Sequence, residues 1–104
     1  MNTNYSIGQQ FNYSITTNEL GPLTIKGGII YNNGALAVVK ISLMNDELFT
    51  MTFSHWQVQN IIPGFNDPAC NDKPLQSYAI IDAQTGEFAF SSDPETDELI
   101  DLRD

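Results

Sequence analysis

The sequence predicts a mainly β domain (β-rich α+β): a six-stranded antiparallel meander, as an open curved sheet or small barrel, with one or two short helices around 54–62 and 93–102. Three observations predict it. Several short runs alternate apolar and polar residues at period two, the signature of half-buried strands. One run, Ala35 to Leu43, is apolar on both faces in its first half, as a central strand requires. Between the second and third runs stands Asn32-Asn33-Gly34, a sequence that tolerates the positive φ of a tight hairpin turn.

In the first strand, Phe11, Tyr13 and Ile15 alternate with Asn12, Ser14 and Thr16. Asn18-Glu19-Leu20-Gly21-Pro22 is a turn. Leu23, Ile25, Ile29 and Tyr31 are expected on one face of the second strand, and Gly27-Gly28 within it marks a bulge or a close backbone approach. The third strand follows the Asn-Gly turn. Phe49, Met51 and Phe53, alternating with Thr50, Thr52 and Ser54, read as a fourth strand.

Ser54 is a cap for a short helix with Trp56, Ile61 and Ile62 on one side, stopped by Pro63-Gly64. Residues 63–74 form a Pro-containing loop, of a length often tied to function. Leu75 to Ala83 is a fifth strand, with Tyr78 and Ile80 opposite Ala79 and Ile81. Glu87 to Ser91, with Phe88 and Phe90, is a sixth. Asp93-Pro94-Glu95 has the form of a helix start, so residues 93–102 are expected to be a short helix or an acidic tail. Residues 1–92 are assigned to one β-rich domain, with 93–104 attached to it.

Charge is the most informative functional feature. The 104 residues carry 13 acids against 4 basic residues, a formal net charge of −9. Residues 1–45 hold one acid and two lysines, whereas 93–104 hold six acids and Arg103. This balance disfavours direct contact with nucleic acid or an anionic membrane. No run approaches the ~18 apolar residues of a membrane span. The N-terminal residues lack the basic and apolar regions of a secretory signal, and Cys70 stands alone, so a cytoplasmic location is expected.

Two functional readings follow. In the first, a non-enzymatic binding protein presents Asp93, Glu95, Asp97, Glu98 and Asp101 to a basic protein partner, masking or inhibiting its surface. The plainer reading of the same residues is a solvated, solubilising tail. A meander that does not close leaves strand edges, so a homodimer is expected. In the second, a small-ligand-binding or weakly enzymatic domain uses an aromatic cavity (Phe11, Tyr13, Tyr31, Phe49, Phe53, Tyr78, Phe88, Phe90), with His55, Trp56 and Asp82 as candidate ligand-site residues and the 63–74 loop as a lid. Against it, aromatics fill cores, Trp56 fits a core or interface, and Asp82 fits a strand-ending turn.

No cofactor is implied. Phosphate-loop, HExxH, CxxC and GxSxG motifs are absent. Asp93-x-Glu95-x-Asp97 opens like a calcium loop but has Glu98 where Gly is needed and Asp104 where Glu is needed. Cys70, between Asp67 and Asp72 despite nearby Lys73, reads as an inert thiol. A lone histidine cannot build a histidine metal site, so no metal site is assigned.

Overall fold

The computed structural model describes residues 5–68, 76–93, 95–96 and 98–103. Period-two alternation forms β1 (Gln10–Thr17), whose Phe11 is buried while Asn12 and Ser14 are exposed. β1 pairs antiparallel with β2 (Gly21–Asn32) in unbroken register, and β2 pairs with β3 (Leu36–Met44). β4 (Tyr78–Asp82) lies against the other side of β3, giving the sheet order β1-β2-β3-β4. A separate hairpin joins β5 (Phe90–Ser92) to β6 (Leu99–Asp101).

The mainly β class agrees with the sequence; the six strands among the described residues form two sheets, not one meander, and two of the expected elements are different. Residues 49–53 are not a strand. Asp46–Met51 is a 3₁₀ helix, in which Leu48 turns inward and Phe49 is left 54% exposed. The expected partner edge on β3 is taken by β4, whose paired residues lie 38 to 46 positions further along the chain (Lys40↔Tyr78 to Leu36↔Asp82). The side chain of Asn45 accepts a bond from Thr24 N at 2.7 Å, which ties the turn after β3 to β2. Phe53 then bridges Tyr78 on the outer side of β4.

Residues 93–102 are not a helix either. Asp93 Oδ1 does accept from the N–H groups of Glu95 and Thr96, as a cap would. But Asp93 N donates to Glu98 O, closing a hairpin turn, and Ser91 and Ser92 then pair with Ile100 and Leu99. The Asp side chain starts a turn as readily as a helix.

The short helix is where Ser54 predicts it. α1 (His55–Ile61) has a complete capping box: Ser54 Oγ accepts from Gln57 N, and Gln57 Oε1 accepts from Ser54 N. Its inward residues are Val58 and, just past its end, Ile62; Trp56 lies on the outside, 70% exposed. Three- and four-residue spacing selects Val58 and Ile62 and excludes Trp56.

The sheet is buried on both faces at β3 and β4. On one, Phe11, Leu23, Ile25, Ile29, Ala37, Val39, Ala79 and Ile81 form the first core. On the other, Leu36, Val38, Tyr78 and Ile80 meet Phe53, Val58, Ile62, Phe65 and Phe90 in the second. Alternate residues of β3 and β4 feed the two cores, as the doubly apolar pattern requires. Full burial of each Val or Ile contributes about 1.5–3 kcal/mol.

Two bulges bend this sheet. Lys26 pairs with Leu43 but Gly27 with Ile41, so Ser42 is the extra residue, and its hydroxyl donates to Lys26 O. A β-carbon on Gly27 would stand 2.3 Å from the Lys40 carbonyl oxygen, so the close approach expected of the Gly-Gly pair belongs to Gly27. The second bulge inserts Ile30 between the Ile29↔Val39 and Tyr31↔Val38 pairs. Past it the chain changes face, and Tyr31 packs on the second core instead of continuing the Ile29 face. The hairpin itself is centred on Gly34-Ala35, one residue later than Asn-Gly. Gly34 takes φ 93°, and the Asn32 and Asn33 side chains accept the N–H groups of Gly34, Ala35 and Leu36.

The outer side of β4 is followed by the 87–90 segment, through Asp82 N to Glu87 O and Ala89 N to Ile80 O. Phe88 returns to β1, packing edge-on against Phe11 (6.0 Å) and Tyr13 (4.7 Å). The result is a curled half-barrel: side chains close the gap to β1, and among the described residues no backbone ladder does.

Candidate functional site

The β5–β6 hairpin carries the acidic segment. Asp93 is half-buried and committed to the turn, as described above. Asp101 forms a two-pronged ion pair with Arg103 (3.1 Å at both contacts), whose guanidinium lies 4.7 Å from the Phe90 ring centre. The guanidinium bonds hold the Asp101 carboxyl below its ordinary pKa and raise that of Arg103. Glu95 and Glu98 are exposed, and among the described residues neither is in an ion pair. Asp97 lies outside the described residues. Of the five expected partner-binding residues, the hairpin therefore presents Glu95 and Glu98 freely, with Asp101 beside them already paired.

The three candidate ligand-site residues do not converge. Asp82 does not point inward with Tyr78 and Ile80. Its carboxylate caps the following turn, accepting from Gln84 N (2.8 Å) and Thr85 N (3.0 Å). Those two backbone N–H groups are the main reason its pKa lies below the ordinary value. Trp56 faces solvent on α1. His55 stacks at a tilt between Phe65 (5.4 Å) and Tyr78 (5.8 Å), and its Nε2 accepts from Asp67 N at 3.0 Å. That nitrogen's lone pair is thus held by the protein's own backbone, which leaves it poorly placed to take a substrate proton. Among the described residues, His55 and Asp82 share no hydrogen-bond or ring partner.

Sequence reasoning missed the polar cluster that His55 joins. Asp67 is 8% exposed, yet its Oδ2 accepts from Tyr78 Oη (2.5 Å) and pairs with Lys40 Nζ (2.9 Å). β3, β4, α1 and the segment after α1 each supply one member. The signal for it was Lys40 itself, a lysine between Val39 and Ile41 on a central strand. The cluster pairs Asp67 with Lys40 and ties the 65–67 segment to the sheet. Residues 69–75, Cys70 among them, lie outside the described residues.

A cleft of about 190 Å³ lies between α1 and the β5–β6 hairpin, lined by Phe53, Gln57, Asn60, Ile61, Ser92 and Leu99. A more polar one of about 290 Å³ lies by Asp82, Glu87 and Arg103. Seven of the eight aromatics expected to wall a cavity pack in or against the two cores, and Phe49 is exposed. Among the described residues no cluster of three His, Cys, Asp or Glu is placed to hold a metal ion, and no helix is long and apolar enough to cross a membrane. Comparison with family models, with curated proteins and with solved structures finds no match.

Proposed function

We propose that the protein is a non-enzymatic binding domain that presents its acidic β5–β6 hairpin to a basic protein surface and works as a pair of identical copies. The observation that carries this reading is the hairpin itself. Strand pairing fixes the turn, and Glu95 and Glu98 stand exposed on it outside any ion pair among the described residues. Carboxylates on an ordered support lose less freedom on binding than a loose tail would. The overall charge of −9 speeds encounter with a cation-rich partner and repels nucleic acid.

The test is capture of a basic protein by the native chain and by the double variant Glu95→Gln/Glu98→Gln, at two salt concentrations. Both substitutions are on exposed side chains, so folding measured by circular dichroism should be unchanged. Capture that weakens on neutralisation and at high salt supports the reading. Capture indifferent to both removes the hairpin as the binding surface.

A further inference from the structure

We infer that two copies join edge to edge along β1, in antiparallel register about a two-fold axis at Tyr13. This rests on the proposal that the chain works as a pair, and it supplies the surface. Ile29 N donates to Gln9 O, so the antiparallel alternation turns the N–H and C=O groups of Phe11, Tyr13 and Ile15 toward β2. Those of Gln10, Asn12, Ser14 and Thr16 therefore face away from it. Among the described residues they have no backbone partner.

Natural edge strands are guarded by charge, proline, a bulge or shortness. β1 has none of these guards. It is eight residues long and its register with β2 is unbroken. Residues 1–18 contain no charged side chain and no proline. The other free edges are treated differently. β6 is three residues long, includes Asp101 and is flanked by Glu98 and Arg103. The outer side of β4 is covered by the Phe53 and Phe88 bridges.

β1 is also complementary to itself. With the axis at Tyr13, Gln10 faces Thr16 of the second copy and Asn12 faces Ser14, all four residues with outward backbone groups. About eight backbone hydrogen bonds form, two for each facing pair. On the same strand face as Phe11, Ile15 meets Phe11 of the other copy, which covers a side chain that is 42% exposed in the single chain. The side chains that meet on the opposite face are neutral, so a chain of net charge −9 approaches its copy along its uncharged margin.

The experiment is mass measurement by light scattering during size-exclusion chromatography, at low and high salt. The native protein should run at twice its 11.6 kDa chain mass. Ser14→Pro removes an outward N–H that no strand within the chain uses, and should reduce the mass to that of one chain. Because proline can also disturb the strand, Asn12→Lys/Ser14→Lys is measured beside it. It changes only exposed side chains and sets like charges across the axis. High salt should leave the native dimer intact, since screening relieves repulsion between acidic copies. A native protein of single-chain mass overturns the pairing and the edge together. A folded lysine variant that stays dimeric overturns the edge alone, leaving a pair built on another surface.

Discussion

Removing the Asp67 carboxylate tests how the structure is held together around α1. In Asp67→Ala, Tyr78 Oη and Lys40 Nζ both lose the acceptor that lies 2.5 and 2.9 Å away. Breaking a buried ion pair from one side costs about 3–5 kcal/mol. The Lys40 side chain is 36% exposed, so water recovers part of its solvation and the cost falls to about 2–4 kcal/mol. Tyr78→Phe removes one hydrogen bond to a charged group and leaves the Lys40 pair, so it should cost about 1–2 kcal/mol. Lys40→Met keeps the Tyr78 bond but takes the cation from a carboxylate that is 8% exposed, and should cost about 3–5 kcal/mol, at least as much as Asp67→Ala. Urea unfolding at neutral pH reads all three, with the slope against denaturant expected to stay unchanged. For a domain of this size the Asp67→Ala loss is a fall of roughly 10–25 °C in Tm. If Asp67→Ala costs less than Tyr78→Phe, the carboxylate is not the centre of the cluster.

Two further outcomes follow from the backbone. Gly27→Ala places a β-carbon 2.3 Å from Lys40 O and 2.8 Å from Val39 Cγ1, and should destabilise by about 1–3 kcal/mol or more, whereas Gly28→Ala has no atom within 4 Å and should be tolerated far better. Equal urea midpoints for the two variants would contradict the bulge geometry. Asp82 has a folded-state pKa below its ordinary 3.8, so its stabilising contribution is present above that value and is lost as pH falls through the lower, folded one. The stability gap between the native protein and Asp82→Asn should therefore be constant near neutrality and shrink in acid, and a gap that widens in acid would reverse the assignment.

What the sequence made legible was local. Alternation placed β1, β3 and β4, and it showed that Val38 and Val39 leave the sheet on opposite sides. Ser54 marked the start of α1 because its capping box closes within four residues. Gly27 marked a close approach because no other residue fits there. What was illegible depended on partners far along the chain. Phe49–Phe53 carries a good strand pattern, but the edge it needs is occupied by β4. Asp93-Pro94-Glu95 begins a helix or a turn with the same side-chain bonds, and the pairing of Ser91 with Ile100 decides between them. Tyr31 changed face through a single inserted residue. The Asp67 cluster draws on positions 40, 55, 67 and 78, so no window of sequence contains it.

The division of the surface follows from how the sheet is used. A sheet with one bare face could bind there, but here the first core lies against β1 to β4 and the second covers β3 and β4 with α1 and Phe65. The aromatic side chains are mostly consumed in that packing, and the one histidine is bonded to backbone. The surfaces proposed for recognition lie at the periphery: an uncharged, unguarded edge at β1 and an acidic turn between β5 and β6. The two proposed interfaces would differ in their response to salt, because one would join like-charged molecules by backbone hydrogen bonds and the other opposite charges. Raising ionic strength should therefore release a basic partner while leaving paired copies together, and that opposition separates the two surfaces in a single titration.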